Sequence, residues 1–140
     1  MNAFLSAIVT WLSINFGLPA SYDHPEIVFV PAAQISEFVY ADAGKKNRQD
    51  VIAGYNDVRR VILLPDSWDD KSPADLSILV HEMVHHLQNL SEIEYACPGA
   101  REEPAYAAQD RWLKLFGHNL FDDFDLDRMT LKVTTLCYWP

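Results

Sequence analysis

Three of the chain's five histidines fall within eight residues, His81-Glu82-Met83-Val84-His85-His86-Leu87-Gln88. Their spacing is what could do chemistry. On an α-helix, residues four apart differ by only about 40° in azimuth and one turn in height, so His81 and His85 present their imidazoles to the same side. Two imidazoles placed in this way can hold one Zn²⁺ from adjacent turns. Glu82, next to His81 around the helix, is poorly placed to join them as a ligand. It can reach a water beside the metal, which is the position of a general base in metal-assisted hydrolysis. The competing reading is a helix with chance histidines, since a motif this short also occurs without a metal. His86 is turned about 140° from His81 and cannot share a metal with it. It reads as a surface histidine or as one that supports the site from behind.

A catalytic zinc needs a third protein ligand and an open position. The metzincin extension would put Gly and His at positions occupied here by Gln88 and Ser91, which excludes that arrangement. His24 lies far upstream, and His118 follows a helix stop at Gly117. The stretch from Arg101 to Phe116 offers better candidates. Its apolar face is set by Ala105, Ala108, Trp112 and Phe116. Glu102 lies about 60° from the direction of Ala105, and Glu103 about 160°. Glu102 therefore sits on the edge of the inward face, with Tyr106 and Gln109 on the same flank, and is the expected third ligand. Its bland alternative is an acid favoured near a helix N-terminus. Glu103 and His118 are the remaining choices.

The elements that must position these groups can be read from local signals. The motif helix is expected over Pro73–Leu90. Ser72 stands at the N-cap, Pro73 at the first helical position and Asp75 three residues after the cap, ahead of a stripe of Leu76, Leu79, Val80, Met83, Leu87 and Leu90. Upstream, Glu26–Val30 is a β-branched and aromatic run between prolines and reads as a strand. Pro31–Ala41 reads as a short helix and Ala43–Asp50 as a polar loop. Val51–Leu64 reads as a hairpin, with arms at Val51–Tyr55 and Val58–Leu64 around Asn56 and Asp57. Downstream, a helix is expected over Arg101–Phe116, ending at Gly117. Thr130–Leu136 could be a strand or part of a short helix capped by Asp127, with the helix preferred. The order helix, strand, helix, hairpin, helix, helix describes one α+β domain over residues 1–140, with a small, mostly antiparallel sheet under helices.

Composition bounds the partners. A chain of 140 residues with 49% apolar and 22% charged side chains can bury a globular core. Its formal charge of −9 repels phosphate backbones, which argues against a nucleic-acid partner. The apolar first 20 residues lack a basic leader, and polar residues interrupt them. Phe4, Leu5, Ile8, Leu12 and Phe16 recur at helical spacing before Gly17 and Pro19. An amphipathic helix of the domain is therefore expected in place of a targeting segment or a membrane span. The two cysteines, Cys97 and Cys137, match no zinc ribbon or redox pair; separate buried thiols and one disulfide both remain open.

The HExxH helix followed by a Glu-bearing helix resembles the gluzincin branch of zinc metallopeptidases, with His81, His85 and Glu102 as ligands and Glu82 as base. The segments "LVHEMVHHLQNL", "YACPGARE" and "AYAAQDRWLKLFG", together with the early "GLP" and Cys137, are similar to a family of small bacterial proteins carrying a zincin-like domain. The resemblance spans nearly the whole chain. It implies a minimal zincin-like fold, one Zn²⁺ per chain, and a peptide or protein substrate. It also implies a Cys97–Cys137 disulfide, and with it an extracytoplasmic, periplasmic or secreted, location. Tyr106 stands where many larger gluzincins have an acid, so support of the ligands must differ here. Tyr106, His86 and His118 are the candidates for a second oxyanion donor, and substrate is expected to pair along Val58–Leu64. The alternatives are a zinc-binding domain without catalysis and an interaction protein without metal.

Overall fold

The computed structural model describes residues 1–35 and 52–137. Helix α1 (Asn2–Phe16) packs Leu5, Ile8, Val9 and Leu12 into the core and ends at Gly17, whose φ of 65° is the left-handed cap. It is a helix of the domain, as expected, although Phe4 stays partly exposed and Val9 is buried in its place. Trp11 meets Trp112 edge-on at 5.1 Å, which ties α1 to a helix far along the chain. No described helix is long and apolar enough to cross a membrane.

Strand β1 (Glu26–Val30) forms as its β-branched run requires. Residues 32–35 are helical, in line with the expected helix after Pro31. The rest of that helix, the polar loop Ala43–Asp50 and Val51 lie outside the described residues. The hairpin forms, but its second arm starts later than expected. Strand β2 (Gly54–Asn56) is joined to β3 (Val61–Pro65) by a four-residue turn in which Arg60 takes a φ of 55°. Asn56 closes that turn twice: its carbonyl accepts from Arg60 N–H at 2.8 Å, and its Oδ1 from Arg59 N–H at 2.9 Å. Val58 is consequently 93% exposed at the tip instead of in a strand.

The sheet is mixed, not mostly antiparallel, within the expected α+β architecture. Its order is β1-β3-β2, with β2 antiparallel and β1 parallel to β3 over Glu26↔Val61 to Val30↔Pro65. The long stretch between Val30 and β2 permits the crossover that a parallel pair needs. Since β3 is the middle strand, β1 takes one of its edges over Val61–Pro65 and β2 the other over Val61–Leu63, while Val58 lies in the turn. The expected pairing of substrate along Val58–Leu64 is therefore ruled out. Alternation along β3 buries Ile62 and Leu64 against the helices.

Helix α2 (Pro73–Leu90) has the expected bounds. Ser72 Oγ accepts from Asp75 N–H at 3.2 Å, and the Trp68 indole donates to the Asp75 carbonyl at 2.6 Å. Its burial exceeds one stripe: every residue from Leu76 to Gln88 is buried. Helix α1 and the sheet cover one side and helix α3 (Pro98–Lys114) the other. This enclosure places polar side chains of α2 inside the protein, where each needs a partner.

Helix α3 starts three residues before the expected Arg101. Cys97 is its N-cap, with Sγ accepting from Ala100 N–H at 3.4 Å, and Pro98 opens the first turn. After Lys114 the chain closes through His118 N–H to the Leu113 carbonyl at 3.0 Å, with Gly117 at a φ of 77°. A short helix, α4 (Leu120–Asp123), capped by Asn119, was not anticipated. Asp127 caps α5 (Arg128–Thr135) through Thr130 N–H at 2.6 Å, which decides the tail in favour of helix.

The Cys97–Cys137 disulfide is formed, with a Cα–Cα distance of 5.7 Å. Next to it, α5 lies directly on the first turn of α3. A Cβ on Gly99 would stand 2.7 Å from the Leu136 carbonyl oxygen and 3.0 Å from that of Thr134. Because both obstacles are backbone, Gly99→Ala should displace the tail and cost about 1–3 kcal/mol in urea unfolding. An unchanged midpoint would show that α5 is not held against this turn.

Candidate metal centre

The site is assembled from two helices that the short connection at 91–97 folds against each other. Helix α2 contributes His81, Glu82 and His85, and the first turns of α3 contribute Glu102. Glu102 Oε2 lies 3.0 Å from His81 Nε2, and Oε1 lies 3.0 Å from His85 Nε2. Ligand atoms of the three residues all fall within 4.8 Å of one another, so they form a group that could hold a metal ion. Glu103, the neighbour, is exposed. The two glutamates are thus separated as their helical azimuths require, Glu102 inward and Glu103 outward.

The opposite edges of the imidazoles are also engaged. His81 Nδ1–H donates to Gln109 Oε1 at 2.9 Å, and His85 Nδ1–H donates to Gln88 Oε1 at 2.8 Å. Each glutamine is held with its oxygen toward the histidine. Gln109 Nε2 donates to Ser77 Oγ at 3.3 Å, and Ser77 Oγ donates in turn to the Ala74 carbonyl at 2.6 Å. Gln88 Nε2 donates to the Arg101 carbonyl at 3.0 Å and to Tyr95 Oη at 3.2 Å. With both Nδ1 protons spent in this way, each neutral imidazole turns an Nε2 lone pair toward the Glu102 carboxylate. Lone pairs and a carboxylate at 3.0 Å repel unless a cation or an added proton lies between them. The donor set, two imidazoles and one carboxylate, suits a metal such as zinc.

Electrostatics follow from the burial. Glu82 is buried, and that burial pushes its carboxyl above the usual range despite the nearby His81 and His85. Burial acts on Glu102 in the same sense, but when the imidazoles carry the added proton on Nε2, the hydrogen bonds and charges of His81 and His85 outweigh it and hold this carboxyl well below its usual range. For His85, burial works downward and is outweighed by Glu102 and Glu82, so its pKa is raised. Glu82, His85 and Glu102 open onto a cleft of about 1550 Å³. The cleft is also lined by Val28, Val61 and Leu63 from the sheet and by Asp57, Tyr95 and Arg101.

Two of the candidate oxyanion donors are placed elsewhere. His86 is buried with both nitrogens committed: Nε2–H donates to the Asp23 carbonyl at 2.7 Å, and Nδ1 accepts from Tyr55 Oη at 2.8 Å. It ties α2 to β2 and to the segment before β1, and burial lowers its pKa. Its azimuth excluded it from the metal, but the enclosure of α2 turned it into an internal strut instead of a surface or site residue. His118 is exposed and pairs with Asp123 at 2.9 Å. Tyr106 does stand at the site, its ring edge-on to His81 at a centroid distance of 4.7 Å. The grip of Gln88 on His85 was not anticipated. The signal was present, since the two lie three residues apart on one helix face.

No curated protein and no solved structure matches the chain. A family model described as "Domain of unknown function (DUF6647)" matches residues 1–137, and the chain belongs to that family.

Proposed function

We propose that the protein is a zinc-dependent metallopeptidase of the gluzincin type, with His81, His85 and Glu102 as metal ligands and Glu82 as general base. The observation that carries this reading is the convergence of two Nε2 atoms on both oxygens of Glu102, beside a buried Glu82 that opens onto the same cleft. Bound zinc supplies Lewis acidity, making water and a carbonyl reactive near neutral pH. Glu82 removes a proton from the attacking water and passes it to the leaving amine, so one carboxyl serves as base and then as acid. Gln88 and Gln109 hold the imidazoles with Nε2 forward throughout. The substrate is a peptide or protein chain seated on the sheet side of the cleft. The disulfide suits an oxidising compartment, so the working location is periplasmic or secreted.

A zinc-binding domain without catalysis is the second reading. It is favoured by the middle position of β3, which removes the sheet edge expected to receive substrate. Metal content separates either reading from an interaction protein. Protein purified without chelator should carry about one zinc per chain by mass spectrometry, and His81→Ala should carry almost none, as loss of one of three ligands requires. Wild type with no metal would sink both zinc readings.

A further inference from the structure

Arg101 is out of place by simple electrostatics. It precedes the ligand Glu102, lines the cleft, and donates from Nη2 to the backbone carbonyl of the ligand His85 at 3.3 Å. A guanidinium this close to a bound dication repels it. If charge were its only influence, the residue would weaken the site.

Its hydrogen bonds describe a different role. Arg101 Nε–H donates to Gln88 Oε1 at 3.2 Å, while the Arg101 carbonyl accepts from Gln88 Nε2 at 3.0 Å. One residue therefore grips both ends of the Gln88 amide. Reversing that amide would set N–H against N–H and oxygen against oxygen, so Oε1 must face His85. The guanidinium is itself anchored by Asp57 in the β2–β3 turn, through Nη2 at 2.6 Å to Oδ1 and Nη1 at 2.8 Å to Oδ2. Asn89 holds the same turn, donating to the Asp57 carbonyl at 2.8 Å. The paired carboxylate offsets much of the positive charge and fixes the plane of the fork. At His81 the corresponding glutamine, Gln109, is fixed by Ser77 instead.

We infer that Arg101 is a positioning residue for the metal centre: anchored on Asp57, it locks the Gln88 amide so that His85 keeps its proton on Nδ1 and turns Nε2 to the metal. This rests on the proposed metal reading. It also makes the β2–β3 turn part of the site, because the chain Asp57–Arg101–Gln88–His85 links that turn to a ligand.

The test is titration of metal-stripped protein with Co²⁺, reading both the dissociation constant and the visible spectrum. Arg101→Met, Arg101→Lys and Gln88→Leu should each bind about tenfold or more weakly, with an altered spectrum, as loss of outer hydrogen-bond partners does. The double variant Arg101→Met/Gln88→Leu should be little worse than either single one, because both remove one device. Lysine keeps the charge without the fork, so it should not rescue. If Arg101→Met proves unable to fold by circular dichroism, the lysine variant carries the test. Equal or tighter binding by Arg101→Met, wild-type affinity in Arg101→Lys, or fully additive losses would each overturn the inference and leave the metal site standing. Wild type that takes up no Co²⁺ overturns the metal reading, and the inference with it.

Discussion

Glu82→Gln should keep its zinc and lose peptide hydrolysis by about 100- to 10,000-fold, the range for removal of a positioned general base. Glutamine fills the same volume but cannot take a proton from water. The three ligands are untouched, so metal content by mass spectrometry should match wild type. Stability should not fall either. Burial raises the Glu82 pKa, which means that the folded state disfavours its charged form. Above the ordinary carboxylate pKa such a group costs stability, in contrast to an acid whose pKa is lowered by folding. At neutral pH the metal-free variant should therefore melt no lower than metal-free wild type. The decisive assay is a diverse peptide library digested by both proteins. Wild-type cleavage that persists in the variant would remove Glu82 from the mechanism. A wild type that holds zinc and cleaves nothing would favour the non-catalytic reading.

Reduction of the Cys97–Cys137 bond should lower unfolding stability by about 4 kcal/mol. That is the chain-entropy value for a loop closed over a sequence separation of 40. The local effect should be larger than the global one. Helix α5 buries none of its residues, and Met129, Val133 and Leu136 are exposed, so little apolar burial holds it in place. The covalent link and the close approach to Gly99 do that instead. Urea unfolding with and without reductant reads the first effect, and amide exchange along α5 the second. Cys97→Ser/Cys137→Ser should reproduce both. A midpoint indifferent to reductant would mean that α5 is held by contacts other than this bond.

Much of the site was legible because its logic is helical. The 72–75 cap and its apolar stripe located α2 to the residue. Four-residue spacing put His81 and His85 on one side, and the same arithmetic excluded His86 and preferred Glu102 to Glu103. These inferences need only the geometry of one helix at a time. The start of α3 was missed because Pro98 and Gly99 carry loop signals. Pro98 in fact occupies the first helical position, and Gly99 is required by the backbone of α5 lying against it, a contact from elsewhere in the chain.

The remaining features depend on which surfaces meet. Nothing local in Glu26–Val30 says that its partner is β3 or that the pair is parallel, since a strand's alternation describes its faces and not its neighbour. His86 became a buried strut because β2 and the segment at Asp23 closed over it. Gln88 and Arg101 acquired their roles because the two helices pack so that a side chain of one satisfies the polar groups of the other. By itself the sequence determined α1, the bounds of α2, most of α3 and the candidate ligands on their inward faces, because backbone periodicity is a local property. Only the tertiary structure decided strand order, the partners of the buried polar groups and the atoms that face the candidate metal position, because hydrogen-bond satisfaction in a buried site is settled between elements.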